Sequence, residues 1–312
     1  MKIVITGALG HIGSQLSRDL AYEFPRAEFL LIDNLMTQRF ASLFDLPVIG
    51  RYKFIEGDVT TMNLSPCLEG AHVVVHLAAI TDAAGSFDRA AELEANNFKA
   101  TQKVAQACTT AGVRLISISS TSVYGTQSDL VSEDCSEDEL KPQSPYASTK
   151  MNEEKLLAEM SISDSLKTVI CRFGTIFGPS PGMRFHTAVN KFCWQAVMGQ
   201  SITVWSTAYG QMRPYLALSD ASRVITFLIK NELFTGDTFN VLTLNATVRE
   251  IVETIGEFVP KLEVKFTDSV IMNQLSYEVS TRKIRAAGFD FVGNLRRGIA
   301  ETIGRLRRAN FS

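Results

Sequence analysis

The stretch TGALGHIGS (6–14) begins at the last residue of the apolar run KIVIT (2–6) and leads into a helical pattern. Gly7, Gly10 and Gly13 give it the spacing G-x-x-G-x-x-G. Glycines at this spacing permit a tight turn, a close approach of the backbone to a pyrophosphate, and close packing of a helix on a strand. The helix N-terminus would face such an anion with its free N–H groups. A glycine turn can also bind nothing, but this one lies between a strand and a helix, which favours dinucleotide binding.

The first half of the chain alternates short β-branched runs with helical patterns. Each run is almost entirely apolar, as expected for parallel strands that are covered on both faces. Strands and helices in this order predict an α/β fold with a doubly wound parallel sheet of the Rossmann type. The runs are KIVIT (2–6), EFLLID (28–33), YKFIE (52–56), HVVVHLA (72–78), RLISIS (114–119) and LKTVICRF (166–173).

The alternation ends after Phe173, where the Gly- and Pro-rich loop GTIFGPSPGMRF follows. We expect residues 1–174 to form the dinucleotide-binding domain, with 214–244 returning to it. We expect 175–213 and 245–312 to form a smaller substrate-binding lobe over the ends of the strands.

Composition limits the classes of partner. The chain has 312 residues, is 46% hydrophobic and carries a formal net charge of −2. Such a balance is typical of a globular protein with a sizeable core, and argues against nucleic acid or a membrane surface as the main partner. The basic segment LRRGIAETIGRLRR is more simply a solvated closing helix than a binding segment. No run reaches the about 18 apolar residues of a membrane span, and the N-terminus lacks the pattern of a signal peptide, so we expect a cytoplasmic protein.

Cysteine and histidine spacing adds no further site. The five cysteines are odd in number and form no C-x-x-C pair, which indicates reduced thiols. The four histidines show no ligand spacing, so we expect no metal.

Polar or small side chains follow each of the next strands. Asp33 ends the second strand. A carboxylate there can accept hydrogen bonds from both ribose hydroxyls of adenosine and would repel a 2′-phosphate. This favours NAD over NADP, although an Asp there could also be a helix N-cap. Asp58 follows the third strand and could meet the adenine amino group. The small residues of HLAA (76–79) follow the fourth and would let the backbone lie along the cofactor.

Three reactive side chains come together at the same edge of the predicted sheet. The fifth strand runs into SISSTSVYG (117–125), from which we select Ser120. The stretch SPYASTK (144–150) separates Tyr146 from Lys150 by four residues, which on a helix places them on one face. Tyr-x-x-x-Lys alone occurs by chance in many helices, but together with the hydroxyl it predicts a catalytic site.

These motifs resemble those of the extended short-chain dehydrogenase/reductase family, in its NAD-dependent epimerase/dehydratase branch, which acts on nucleotide sugars. The resemblance implies that Ser120, Tyr146 and Lys150 are catalytic. It implies that Asn97 is the Asn of an N-x-x-G-T motif, in which Ala100 replaces the Gly. It also implies a homodimer formed through two helices, here 87–111 and 146–160. The motifs, in the family's order, are TGALGHIG, DN (33–34), GDV (57–59), HLAA, NNFKAT, SSTSVYG, PYASTK, RFGTIFGP and RPYLALSD.

The family's chemistry fits these side chains. A free Tyr has a pKa of about 10, too high for a base at neutral pH. Lys150 and the positive nicotinamide would favour the phenolate, so that Tyr146 could take a hydroxyl proton while the sugar carbon gives up a hydride. Ser120 would hold the oxygen that becomes a carbonyl. The residues predicted to bind NAD are Gly7, Gly10, His11, Ile12, Gly13, Asp33, Asn34, Asp58, Val59, Leu77, Ala78, Ala79, Asn97, Tyr146 and Lys150.

Departures from the family pattern bear on the reaction and the substrate. The family's dehydratases have an Asp-Glu pair where this chain has Thr121 and Ser122, which leaves epimerisation or a net redox reaction. Thr175 replaces an Asn that touches the substrate diphosphate, and Arg213 matches a diphosphate-binding Arg. A second such Arg, expected near Val270, has no counterpart. The residues predicted to bind substrate are Thr121, Thr175, Arg184 and Arg213, with a surface position as the alternative for Arg184.

The sequence therefore predicts an NAD-dependent nucleotide-sugar epimerase that inverts C4 through a 4-keto intermediate. A dehydrogenase or ketoreductase acting on a related sugar is the alternative reaction. A catalytically idle NAD-binding regulatory protein is the alternative class, and the intact set of Ser120, Tyr146 and Lys150 argues against it.

Overall fold

The computed structural model describes residues 1–81, 90–125, 127, 130–268 and 276–309. Its strands are β1 (Lys2–Thr6), β2 (Glu28–Asp33), β3 (Arg51–Glu56), β4 (Val73–His76), β5 (Arg114–Ser120), β6 (Leu130–Val131), β7 (Thr168–Phe173), β8 (Thr175–Phe177), β9 (Ile202–Trp205), β10 (Met212–Ala217), β11 (Thr238–Val241), β12 (Leu244–Thr247), β13 (Val264–Thr267) and β14 (Glu278–Val279). Its helices are α1 (His11–Glu23), α2 (Ser65–Leu68), α3 (Ala90–Ala111), α4 (Pro145–Ser163), α5 (Ala188–Val197), α6 (Leu218–Lys230), α7 (Val248–Phe258), α8 (Arg282–Ala286) and α9 (Leu295–Leu306).

Seven strands form the main sheet, in the order β3-β2-β1-β4-β5-β7-β11, and all neighbouring pairs are parallel. Ile3 of β1 lies opposite Phe29 of β2 on one side and Val73 of β4 on the other. The chain crosses to opposite sides of the sheet after these strands, which opens a crevice at their carboxyl ends. The predicted doubly wound α/β fold is confirmed.

Apolar layers cover both faces of the main sheet. Leu16 of α1 and Val224 of α6 are buried on one face, and Val104 of α3 and Leu157 of α4 on the other. Fully burying such a side chain contributes about 1.5–3 kcal/mol. Because both faces are covered, the strands are apolar almost throughout, as the sequence shows.

A second apolar cluster lies apart from the main sheet. It joins α5, α7 and α9 to β9 and β10, with Phe192, Ile251 and Ile299 among its buried residues. β10 pairs with β8 and β12, and β9 pairs with β13. By contrast, α6 and β11 pack with the main sheet. The assignment of 175–213 and 245–312 to a substrate lobe stays a prediction.

The described helices include none that is long and apolar enough to cross a bilayer. The helix predicted over 87–111 is described from Ala90 onward, and the one predicted over 146–160 lies within α4.

Candidate active site

A cavity of about 800 Å³ opens at the carboxyl edge of the main sheet and extends to the second apolar cluster. Residues that follow β1, β2, β3, β4, β5 and β7 line it, as the crevice of a doubly wound sheet requires. Its volume is in the range of cofactor and ligand sites, about 300–1,000 Å³. All the predicted site residues line this cavity except Asn97.

The glycines of the turn let backbone segments of the protein pack closely against one another. Gly7 has φ +66°, and a Cβ there would lie 2.6 Å from the backbone N of Ala78. A Cβ at Gly13 would lie 2.5 Å from the carbonyl oxygen of Gly7. Gly10 is the N-cap of α1 and has no side chain to cap the helix. The free N–H groups of the first turn are therefore available to an anion in the cavity, and this arrangement fits a dinucleotide pyrophosphate.

Asp33 holds the glycine turn in place and still faces the cavity. Its Oδ2 accepts a hydrogen bond from Leu9 N at 3.0 Å, and its Oδ1 accepts from Leu35 N at 3.0 Å. Each oxygen of a carboxylate can accept a second hydrogen bond, so both retain capacity for ribose hydroxyls.

Asp58 is oriented in the same way by its neighbours. Its Oδ1 accepts from the N and Oγ1 of Thr60 at 2.8 and 2.7 Å, and its Oδ2 accepts from Asn34 Nδ2 at 3.4 Å. These hydrogen bonds, led by the Thr60 hydroxyl, lower the pKa of Asp58. A carboxylate that stays ionised here can accept a hydrogen bond from an amino group such as that of adenine.

The loop 178–182 is tied to the start of α1. His11 Nε2 lies 2.7 Å from the carbonyl oxygen of Gly178, and Ser180 Oγ donates to the carbonyl oxygen of His11 at 2.8 Å. Gly182 N donates to Ser14 Oγ at 2.9 Å. Burial lowers the pKa of His11 to about 4, so its ring is neutral and carries its proton on Nε2, which faces the carbonyl. His11 thus holds this loop against the glycine turn.

Asn97 acts on the cavity wall from behind. It is 1% exposed, its Oδ1 accepts from Ile80 N at 2.8 Å, and its Nδ2 donates to the carbonyl oxygen of Ile80 at 2.8 Å. These two bonds fix the backbone at Ile80. Ile80 and the three residues before it, Leu77, Ala78 and Ala79, line the cavity.

Tyr146 and Lys150 lie on one face of α4, as predicted from their spacing. The helix begins at a Ser144 N-cap, whose Oγ accepts from Ala147 N at 3.2 Å, with Pro145 in its first turn. Lys150 Nζ lies 6.0 Å from the centroid of the Tyr146 ring. Burial raises the pKa of Tyr146, and the positive charge of Lys150 opposes that rise. The predicted effect of Lys150 on the pKa of Tyr146 is therefore present but smaller than that of burial.

Ser120 ends β5 with its hydroxyl prepared to donate. Its Oγ accepts hydrogen bonds from Ser122 N at 3.2 Å and from Ser122 Oγ at 2.9 Å. Since these bonds use its lone pairs, the proton of Ser120 is available to an oxygen in the cavity.

The predicted substrate residues line the opposite part of the cavity. Thr121 Oγ1 contacts the carbonyl oxygen of Phe173 and the Tyr277 hydroxyl, each at 3.3 Å, so this hydroxyl is engaged with the protein. Arg184 lines the cavity. Burial is the main reason that the pKa of His11 is lowered, and the charge of Arg184 adds to that lowering. Burial raises the pKa of Tyr146, and the charge of Arg184 opposes that rise. The remaining two, Thr175 and Arg213, project from β8 and β10; Val270 lies outside the described residues.

Several cavity residues escaped the sequence analysis. Ser122 could have been predicted, because it belongs to the same run of hydroxyl residues as Ser120. For the other missed residues, the local sequence does not distinguish a position in the cavity from one on the surface. They are Arg39, His186, Lys191, Trp205 and Tyr277. The described residues contain no group of three or more His, Cys, Asp or Glu that could hold a metal, and the five cysteines, all described, are free thiols.

Comparisons with known proteins place this geometry in a family. The sequence model of the NAD-dependent epimerase/dehydratase family matches residues 3–241. An uncharacterized UDP-glucose epimerase of Bacillus subtilis, YtcB, is 31% identical over an alignment of 281 residues, and the match covers 86% of each chain. Three longer relatives are trifunctional enzymes of Arabidopsis thaliana, and the first activity in each name is that of a UDP-glucose 4,6-dehydratase. The match to this chain covers only 46% of their length.

Two solved structures share the fold over nearly the whole chain. MoeE5, in complex with UDP-glucuronic acid and NAD, has a TM-score of 0.86 and 28% identity, covering 99% of this chain and 100% of that one. The UDP-glucuronic acid 4-epimerase of Bacillus cereus, also with UDP-glucuronic acid and NAD, has a TM-score of 0.86 and 26% identity, again over 99% and 100%.

Fold and cavity together define an enzyme that uses a dinucleotide at the carboxyl edge of a parallel sheet. This chain belongs to the NAD-dependent epimerase/dehydratase family. The predicted family, the NAD cofactor and the assignment as an NAD-dependent enzyme are confirmed.

Proposed function

We propose that this protein is a nucleotide-sugar epimerase that inverts C4 through a transient 4-keto sugar. The observation that carries the proposal is a single phenol–ammonium pair beside a donating Ser120, followed by the hydroxyls of Thr121 and Ser122. Loss of water from the sugar would call for an additional acid and base, and aliphatic hydroxyls are too weak as acids and bases to supply them.

NAD fits the residues that follow the strands. The helix N-terminus at Gly10 would hold its pyrophosphate, Asp33 its adenosine ribose and Lys150 its nicotinamide ribose. When bound, NAD supplies the group that accepts a hydride and gives it back.

The protein's own side chains handle the proton. Tyr146 takes the proton of the C4 hydroxyl and returns it after the keto-sugar has turned over in the cavity. Ser120 donates its hydrogen bond to the same oxygen while that oxygen is a carbonyl, and Lys150 stabilises the phenolate at the start of each cycle.

The substrate part of the cavity suits a diphosphate. Arg213 on β10, Arg184 on the loop before α5 and Lys191 on α5 converge on it from three segments. Three cations are more than enough to balance the two negative charges of a nucleotide diphosphate, and guanidinium groups recognise phosphate oxygens in pairs. The ligands in the titles of the solved relatives, UDP-glucose and UDP-glucuronic acid, support a uridine diphosphate sugar as substrate.

We further propose that the protein is cytoplasmic and forms a homodimer through α3 and α4. Support for this interface comes from the family resemblance and from Ile162 on α4, which is 87% exposed in the single chain.

The experiment that tests the function incubates purified protein with UDP-glucose or UDP-glucuronic acid and no added NAD. We expect conversion to the C4 epimer with no steady rise in reduced-nicotinamide absorbance, because the cofactor stays bound. Sustained formation of reduced cofactor, in proportion to the sugar consumed and dependent on added NAD, would show a dehydrogenase instead.

A further inference from the structure

A buried carboxylate that this mechanism does not use lies behind Lys150. Glu153 follows Lys150 by nearly one turn of α4 and is 2% exposed. Its Oε2 accepts hydrogen bonds from Lys150 Nζ at 2.9 Å and from Thr101 Oγ1 at 2.8 Å. Within the described part of the chain, its Oε1 is buried without a hydrogen-bond partner. Burying a charged carboxylate is unfavourable unless it is paired, so its position here requires a cause.

Glu153 is the final acceptor of a chain of hydrogen bonds. Thr101 has one hydroxyl proton, which it donates to Glu153, so its oxygen accepts from His76 Nε2 at 3.3 Å. Burial lowers the pKa of His76 to about 3, so the ring is neutral and its single proton lies on Nε2. His76 Nδ1 then accepts from Thr6 Oγ1 at 2.7 Å, and Thr6 Oγ1 accepts from Ala78 N at 3.4 Å. A chain of donors thus connects the cofactor side of the cavity to one ionised carboxylate.

Glu153 acts on Tyr146 in two opposing ways. Burial alone would lower the pKa of Lys150, but Glu153 raises it, so that the net direction is upward and the ammonium persists. Burial raises the pKa of Tyr146, Lys150 opposes that rise, and Glu153 adds to it. The carboxylate therefore keeps Lys150 charged while weakening its attraction for a phenolate.

Other charged groups nearby do not replace this effect. Glu154, the next residue of α4, is already paired with Arg172 of β7 at 2.7 Å. His76 of β4 is neutral, and Arg184 approaches Tyr146 from the substrate side of the cavity.

We propose that Glu153 is a positioning residue that holds the Lys150 ammonium and partly neutralises it, and thereby sets the pH above which Tyr146 can act as a base. The proposal rests on the assigned role of Tyr146 as the base. Replacing Glu153 by Gln keeps the shape and the hydrogen bonds but removes the charge. Tyr146 and Glu154 also raise the pKa of Lys150, so the ammonium persists and acts on Tyr146 without an opposing carboxylate beside it. The phenolate of Tyr146 would then persist to lower pH.

The ionisation of Tyr146 can be measured directly from the ultraviolet absorbance of tyrosinate in the NAD-saturated protein. Subtracting the same titration of Tyr146→Phe removes the signal of the other tyrosines. With Glu153→Gln, we expect the Tyr146 signal to titrate about one pH unit lower than in the native chain, the size of shift that a neighbouring charge produces. Glu159→Gln removes the same charge from an exposed position of the same helix and should leave the titration unchanged.

Coincident Tyr146 titrations in the native protein and Glu153→Gln would overturn the proposal. If Glu153→Gln does not fold, Glu153→Asp retains the charge but withdraws it from Lys150 by one methylene, and a smaller shift in the same direction is expected; no shift would again overturn it. The readout does not depend on turnover. A shifted titration in a protein without epimerase activity would retain the inference and refute the proposed function.

Discussion

The two sides of the cavity are built from different parts of the chain. The cofactor side consists mainly of backbone that follows parallel strands, as at Gly7, Gly13 and Ala78, and its shape is determined by the order of the strands. The substrate side consists of long side chains, such as Arg184 and Arg213, carried by separate segments. Such side chains can be exchanged without disturbing the sheet. We therefore expect the first side to define the chemistry and the second side to define the substrate.

Tyr146 lies where the two sides meet, and its removal should have the largest effect. Tyr146→Phe deletes the proton acceptor but keeps the ring, so we expect turnover to fall by about 10²–10⁴-fold, the usual contribution of a general base. Binding of NAD should be nearly unchanged. Steady-state rates with a UDP-sugar and fluorescence titration with NAD measure the two quantities.

The exposed Tyr22, replaced by Phe in the same way, should leave both quantities at native values. If Tyr146→Phe retained half of the native turnover, the phenol would be a structural part of α4 and the base would lie elsewhere.

A substitution at Gly13 should damage the cofactor side alone. In Gly13→Ala the new Cβ would meet two backbone groups, the carbonyl oxygen of Gly7 at 2.5 Å and Ala8 Cα at 2.8 Å. Overpacking of this kind typically costs about 1–3 kcal/mol of folding stability. To relieve it the turn must move from the position that faces the pyrophosphate, so we expect NAD to bind more weakly. Calorimetric titration with NAD gives the affinity, and UDP should still bind.

Gly256→Ala is the matched control, because this glycine lies in α7 with open space around the position of a Cβ. It should bind NAD normally and should be slightly stabilised, since alanine favours a helix. Normal NAD affinity in Gly13→Ala would show that the turn does not approach the cofactor.

A substitution at Arg213 should affect the substrate side alone. Arg213→Gln removes one charged donor to a diphosphate, and a hydrogen bond to a charged group contributes about 1.5–3 kcal/mol. We expect UDP to bind about 10–150-fold more weakly and NAD to bind as before. The exposed Arg297, replaced by Gln, controls for the loss of one positive charge. Equal weakening of NAD and UDP by Arg213→Gln would contradict the separation of the two sides.

The difference between the cofactor side and the substrate side also explains which site residues could be predicted from the sequence. Gly7, Gly13 and Asp33 stand in motifs whose spacing alone implies their geometry, and the structure places them as expected at the cavity. Asn97 belonged to a motif as well, but its side chain turned out to hold the backbone of Ile80 rather than to line the cavity. A motif gives the position of a residue along an element, whereas contact with a ligand depends on which neighbours its side chain reaches first.

Residues outside the motifs could not be found without tertiary structure. Lys191 resembles any charged residue of an amphipathic helix, and only the packing of α5 brings it to the cavity. Glu153 looks like a solvated helix residue until the fold brings Thr101 of α3 to it and His76 of β4 to Thr101. The energetic cost of burying such a charge is a property of the assembled fold, so no local pattern of α4 contains it.

The central claim is that one carbon of a sugar loses its hydrogen and regains the same hydrogen on its other face within a single cavity. The most direct test uses UDP-glucose or UDP-glucuronic acid with deuterium at C4, and follows the label by NMR as the epimer forms. We predict that the epimer carries the deuterium at C4 and that none exchanges into water or into added NAD. Loss of the label to solvent, or its appearance in the free cofactor pool, would contradict the account.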